Sequence, residues 1–206
     1  MLVYDDLKQI DNDIYYLPSE EEPVLSADIG LFFGGNFVWS YDCGASKKAC
    51  ELMNRIDNKN IVISHFHKDH TYNINDITNV NQVYLSKYSF NHFKTGNVVD
   101  KDIWIEDKGL IHIFPLPNSH CKGSMAMEIN EKYVFIGDSS YGKHIDKHLT
   151  YNVQLLTEQI KILSKIKADT CLVSHDPRYV VDKEEILAKF EKILSKSISG
   201  NPLIVL

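Results

Sequence analysis

Ser64-His65-Phe66-His67-Lys68-Asp69-His70 comes straight after the apolar run Ile61-Val62-Ile63. A short β-branched run bounded by polar residues reads as a buried strand, so this stretch begins where a strand gives way to a loop. His65 and His67 are two apart and leave an extended backbone on the same face. Asp69 and His70 follow as the chain turns, which lets them point to a neighbouring position. Imidazole and carboxylate are suitable ligands for zinc and other first-row metals.

Three residues downstream repeat this placement. His120 lies in Pro117-Asn118-Ser119-His120-Cys121-Lys122-Gly123-Ser124, between the apolar runs Leu110–Leu116 and Met125–Ile129. Asp138 follows Val134-Phe135-Ile136-Gly137, and His175 follows Thr170-Cys171-Leu172-Val173-Ser174. Each alone reads as an ordinary loop residue. Together, in a chain that already holds the first motif, they are candidate ligands.

The surrounding pattern alternates strands and helices. Asp13–Leu17, Asp28–Phe33, Asn36–Tyr41, Asn60–Ser64, Gln82–Ser86, Leu110–Leu116, Met125–Ile129, Tyr133–Ile136 and Thr170–Ser174 read as strands. Gly34-Gly35-Asn36 and Asn130-Glu131-Lys132 read as hairpin turns. Helices fit Ser46–Ile56, Tyr151–Lys167 and Lys183–Ser195, the last two from apolar residues at helical spacing. This is the pattern of an α/β fold in layers.

The 206 residues suit one domain, 1–206, and 44% hydrophobic with 24% charged residues is an ordinary globular mixture. A formal charge of −6 and scattered Lys and Arg make nucleic acid a disfavoured partner. The N-terminus has no signal-peptide pattern and no run reaches the roughly 20 apolar residues of a membrane span. Four cysteines without a Cys-x-x-Cys pair read as reduced thiols, so the expected location is cytoplasmic.

From about residue 13 to about 180 the chain resembles the metallo-β-lactamase superfamily, through His-x-His-x-Asp-His at 65–70, Ser119–Ser124, Gly137-Asp138 and Ser174-His175-Asp176 in the family's order. The resemblance implies an α/β, four-layer αββα sandwich of two mixed sheets flanked by helices, with a dinuclear metal site at one edge. It implies one metal held by His65, His67 and His120, a second by Asp69, His70 and His175, and Asp138 bridging both. The cofactors would be two divalent ions, zinc first, with iron or manganese accepted by the mixed ligand set. Asp42, in Tyr41-Asp42-Cys43-Gly44, matches the family's Asp-x-Gly, where it orients a ligand histidine; the alternative is a cap before Ser46. The chain departs from the family at Tyr72-Asn73, where a glycine pair often follows the histidine motif, and at Asp176, where glycine is common.

Two such ions would hold a bridging water, lower its pKa from about 16 towards 7 and give a hydroxide that attacks an ester, lactone or thioester carbonyl. Asp69 is the expected proton shuttle. Tyr141 lies three residues after Asp138, the Asp-x-x-Tyr spacing of members similar to acyl-homoserine-lactone lactonases, where the phenol helps hold the substrate carbonyl. A small-molecule substrate is therefore expected. The alternatives are a phosphodiesterase or ribonuclease of the same fold, a persulfide dioxygenase with a single iron, and a non-catalytic binding module. Only 31 residues follow His175, too few for the glutathione-binding helical domain of glyoxalase II-like members. Loops Phe32–Asn36, Tyr72–Val80 and Tyr141–His148 are expected to set substrate choice. Among the other histidines, His112 reads as surface-facing or satisfied, His92 as helical, and His144 and His148 as residues near a pocket mouth. The apolar tail Pro202–Leu206 is expected to pack on the domain or on a partner. Oligomeric state is left open.

Overall fold

The computed structural model describes residues 6–206. Seven strands form the first sheet in sequential order: β1 (Lys8–Asp11), β2 (Ile14–Leu17), β3 (Ile29–Phe33), β4 (Val38–Tyr41), β5 (Lys59–Val62), β6 (Val80–Leu85) and β7 (Asn97–Val98). The second sheet uses β8 (Ile103–Glu106), β9 (Leu110–Pro115), β10 (Met125–Ile129), β11 (Tyr133–Gly137), β14 (Thr170–Val173) and β15 (Val180–Asp182), in the order β15-β14-β11-β10-β9-β8. A third, smaller sheet joins β12 (Lys143–Ile145), β13 (His148–Asn152) and β16 (Leu203–Val205). The helices are α1 (Lys47–Arg55), α2 (Lys68–Thr71), α3 (Lys87–Phe93), α4 (Val153–Leu163) and α5 (Lys183–Leu194).

Alternating residues along each strand divide between three apolar clusters, which defines four layers. Ile61 and Ile63 join Leu31, Ala49, Leu52 and Met53 between the first sheet and α1. Val62, Phe32 and Trp39 face Ile111, Ile113, Met127, Phe135 and Leu172 between the two sheets. Val134, Ile136, Cys171 and Val173 point the other way, onto Leu156, Leu163, Ile186 and Phe190 of α4 and α5. Sheet meets sheet closely enough that a Cβ on Gly30 would lie 2.1 Å from the Phe135 ring, so only glycine fits there.

Some boundaries differ from the sequence reading for identifiable reasons. The helix expected from Tyr151 begins at Val153, because Tyr151 pairs with Ile204 in the small sheet and the Asn152 side chain accepts from Leu155 N at 3.0 Å as an N-cap. It ends at Leu163, leaving Ile166 in the turn that follows. Ser46 is itself the cap of α1, accepting from Ala49 N. The apolar tail packs on the chain itself: Ile204 is buried, and β16 supplies the edge of the small sheet. Seven strands were not read from sequence: β1, β7, β8, β12, β15 and β16 are short and lie at sheet edges, where the apolar alternation is weak, and β13, at the centre of the small sheet, ends in residues 151–152 that read as the start of a helix.

Strand direction decides where loops meet. β4 runs parallel to β5, and β11 parallel to β14, so Tyr41, Val62, Gly137 and Val173 all finish at one end of the sandwich. Ser64 O accepts from Met125 N at 2.8 Å and ties the two sheets together there. Antiparallel pairing puts Phe33 opposite Val38 and Gly30 opposite Tyr41, so the Phe32–Asn36 turn lies at the other end. This corrects its expected role in substrate choice: the turn faces away from the metal-ligand candidates and is held by Asp107.

Candidate metal centre

The structure gathers all seven ligand candidates into two groups that share Asp138. His65, His67, His120 and Asp138 form one; Asp69, His70, Asp138 and His175 form the other, and within each group the donor atoms all lie within 4.8 Å of one another. Asp138 Oδ2 is 3.3 Å from His120 Nε2 and 4.0 Å from His65 Nε2. Asp138 Oδ1 is 3.3 Å from His70 Nε2 and 3.9 Å from His175 Nε2. Asp69 Oδ2 lies 3.1 Å from His175 Nε2 and 3.5 Å from His70 Nε2. His120 Nε2 and His67 Nδ1 are 3.1 Å apart.

Whether metal ions fit can be judged from what these atoms lack. Buried polar groups are normally hydrogen-bonded, yet His65 Nε2, His70 Nε2 and Asp138 Oδ1 are buried with no hydrogen-bond partner. All three point into the gathered groups. Two imidazoles and a carboxylate, orphaned together and aimed at a common space, fit a pair of cations.

The far sides of the same rings are fully engaged. His70 Nδ1 donates to Asp42 Oδ2 at 2.7 Å. Ser64 Oγ donates to that oxygen at 2.6 Å and accepts from His65 Nδ1 at 2.9 Å. Ser64 N donates to Asp42 Oδ1 at 2.7 Å. One carboxylate therefore aims a ring of each group, His70 directly and His65 through Ser64, and leaves both Nε2 atoms free for a ligand. The capping alternative for Asp42 falls, because its oxygens are taken here.

Two further supports were not read from sequence. Buried Asp28 accepts from His175 N at 2.9 Å and from Ser19 N at 2.9 Å, steadying His175 in a left-handed backbone at φ 60°. Asn118 Oδ1 accepts from His120 N and Cys121 N, while its amide donates to Leu116 O and Ser139 Oγ. Asn118 carried a turn signal in the sequence, but the partners of Asp28 lie too far along the chain to be read locally. Gly137, at φ 52°, begins the turn into Asp138, and a Cβ there would come within 3.0 Å of Ser64.

The two groups differ electrostatically. Burial, followed by the charge of His70, pushes His65 well below the ordinary histidine range, and burial with His120 lowers His67. Burial also works against the charge on His70, but Asp42 and Asp138 outweigh it and raise His70 well above the ordinary value. His175 rises in the same way, burial being overcome by Asp69 and Asp138. Asp138 is buried, yet the imidazoles of His120 and His70, each 3.3 Å from its carboxylate, hold it well below the carboxylate range. Asp69 is lowered against burial by His175 and His70.

The remaining candidates are placed as follows. Tyr141 donates its hydroxyl to Ser174 O at 3.0 Å, and burial together with the charge of Asp138 raises its pKa. Tyr72 is 65% exposed, and Asn73 is buried with its amide donating to Ser46 O and Cys43 O. Asp176 accepts from Arg178, which also binds Glu185. Burial pushes the Cys121 thiol up to about 11, so it is a protonated packing group at neutral pH. His92 lies in α3 and stacks on Phe66, with ring centroids 4.1 Å apart. His112 is buried and satisfied between Glu128 and Asp102 at 3.0 and 3.1 Å. His144 and His148 are exposed on the β12–β13 hairpin, and only His144 lines the cavity beside the metal-ligand candidates.

No sequence-family description and no curated protein matches this chain. Solved structures do. A metallo-β-lactamase from Pontibacter korlensis superposes with a TM-score of 0.68 at 12% identity, over 93% of this chain and 99% of that one. A B3 metallo-β-lactamase with an active-site glutamic acid gives 0.69 at 14% identity, over 93% and 89%. A flavo di-iron protein from Thermotoga maritima gives 0.69 at 13% identity, over 94% of this chain and 63% of that one. The chain thus has the fold these proteins share.

Proposed function

We propose that this chain, whose fold is that of the metallo-β-lactamases, is a dinuclear metal-dependent hydrolase acting on the carbonyl of a small ester, lactone or thioester. The observation that carries the reading is the set of orphaned atoms, His65 Nε2, His70 Nε2 and Asp138 Oδ1, at the meeting of two complete ligand groups. His65, His67 and His120 would hold one ion, Asp69, His70 and His175 the other, and Asp138 would serve both. Zinc suits the ligand set best, with iron or manganese also accommodated. Ions bound there would supply an activated water and polarise the substrate oxygen.

The chain's own residues supply the rest. Asp42 and Ser64 keep the ligand rings aimed, which spares reorganisation during turnover. Asp69 retains an exposed edge, and its depressed pKa keeps it ionised as a proton acceptor. Tyr141 is proposed to turn its hydroxyl from the Ser174 carbonyl to a substrate oxygen. Four free cysteines, three of them buried, support a reducing compartment such as the cytoplasm. No helix among the described residues is long and apolar enough to cross a membrane.

Elemental analysis of the purified protein and of Asp138→Ala tests the reading, together with a screen of esters, lactones, thioesters and phosphodiesters. The expected result is two metal ions per chain, reduced by the substitution, with kcat/KM for a carbonyl ester down by about a thousandfold. One iron, with no second metal under any loading condition, would replace this mechanism with the oxidation of persulfides. Cleavage of phosphodiesters alone would move the reading to a nuclease.

A further inference from the structure

Beside the metal-ligand candidates lies a cavity of about 420 Å³, whose wall includes His67 and His120. That volume suits a small molecule. Apart from Cys121 and Gly142, its other lining residues fall into two kinds. Phe66, Tyr88 and His92 make an aromatic side, with Phe66 and His92 stacked at an interplanar angle of 18° and Tyr88 51% exposed. Lys122, Lys143 and His144 make a basic side.

No Asp or Glu lines this cavity, in a chain of formal charge −6. Elsewhere on the surface, Lys108, Lys132 and Lys167 each pair with a carboxylate within 2.8 Å. Lys122 and Lys143 have no such partner among the described residues. A concave site with unpaired charge of one sign concentrates ligands of the other.

The two lysines also come from well-anchored segments. Lys122 sits in the loop shaped by Asn118, next to Gly123, whose left-handed φ of 74° lets the backbone pass Tyr88 and Ser86 where a Cβ would clash. Lys143 opens β12, and the hairpin it begins is pinned through β13 to β16. A hollow of similar size beside Trp104 shows the contrast, since His112, Asp102 and Glu128 there satisfy one another.

We propose that the substrate carries an anionic group, a carboxylate or a phosphate, at the end remote from the scissile bond. Lys122 and Lys143 hold that group, and Phe66, Tyr88 and His92 flank a flat or apolar body between it and the metal-ligand candidates. This rests on the hydrolase reading and narrows it to a substrate class. Lys122 and Lys143 are specificity residues that touch the remote end and leave the reacting carbonyl alone.

The test uses the full chain loaded with zinc and three matched esters: 4-acetoxybenzoate, 4-acetoxyphenyl phosphate and neutral 4-acetoxybenzamide. The anionic esters are expected to have KM values lower than the amide by about tenfold, with whichever of carboxylate and phosphate binds better naming the natural group. In Lys122→Ala/Lys143→Ala that gap closes, while Lys101→Ala, which removes an exposed charge elsewhere, leaves it open. Equal KM values, or a gap that survives the double substitution, overturn the inference while leaving the hydrolase reading intact. If no ester is cleaved, calorimetric titration with 4-hydroxybenzoate and 4-hydroxybenzamide decides separately. A preference for the anion that the double variant abolishes supports the inference on a non-hydrolytic protein, and equal affinity overturns it.

Discussion

Asp107 and Asp138 are buried to nearly the same degree, 4% and 6% exposed, at opposite ends of the sandwich, and both carboxyls are held below their ordinary range. Their partners differ in kind. Asp107 accepts from Gly35 N, Asn36 N, Asn36 Nδ2, Phe37 N and Trp39 Nε1, all between 2.7 and 3.1 Å. It closes the turn between β3 and β4 and joins that turn to the second sheet. Asp138 meets only imidazoles, and its Oδ1 has no hydrogen bond. The same contrast holds for histidines: both nitrogens of His112 are satisfied, whereas His65 and His70 each have a bare Nε2. A buried polar group whose bonds are complete serves the fold, and one left incomplete is set for a ligand.

The largest effect expected from this comparison is on stability. Asp107→Ala should cost about 3 kcal/mol in urea unfolding of the metal-free protein, since five donors lose one charged acceptor. Asp138→Ala, measured the same way, should cost less than half as much. Equal costs would break the distinction. Because native hydrogen bonds lower the Asp107 pKa, burial notwithstanding, its contribution is full above about pH 4 and is lost as pH falls through the native value.

A smaller effect separates aiming from ligation. Ser64→Ala removes the link between Asp42 and His65 but touches no ligand atom. Zinc affinity by chelator competition should fall by about tenfold. The loss should be greater for the ion at His65 than for the ion at His70, which keeps its direct bond to Asp42. Unchanged affinity would show that packing alone orients His65.

The smallest effect is in the order of loading. Burial depresses His65 and His67, whereas neighbouring carboxylates raise His70 and His175, so the second pair keeps its charge-bearing protons to higher pH than the first. In the metal-free protein that raised pair contributes stability at low pH, and the contribution is lost as pH rises through the native values. Metal competes with those protons, so affinity at the Asp69, His70 and His175 group should rise more steeply with pH. Stepwise zinc titrations at pH 6 and pH 8 should show two events drawing together at the higher value. A constant separation would sharpen the comparison differently, by placing the protons elsewhere.

Much of the site was readable locally because its residues sit at strand ends. An apolar run stopping at Ile63, Gly137 or Ser174 marks where a backbone leaves the sheet, and the next polar side chain is free to converge on others. The supports were not readable for the opposite reason. Asp28 and His175 are 147 residues apart, Asp107 and Asn36 71, and nothing near either residue names its partner. The Phe32–Asn36 turn was assigned to the wrong end of the molecule because a glycine pair predicts a turn and says nothing about which end of a sheet it closes.

By itself the sequence determined the α/β class, the main strands, and seven residues able to hold metal, since period-two alternation and ligand chemistry are properties of short segments. Tertiary structure alone decided which nitrogens stay bare, which carboxylate becomes a hub for the fold, and which lysines share a cavity. Those outcomes depend on the pairing of β4 with β5 and β11 with β14, and on two sheets ending together. Register and strand direction are set by the burial of whole faces, a sum over residues far apart in the chain.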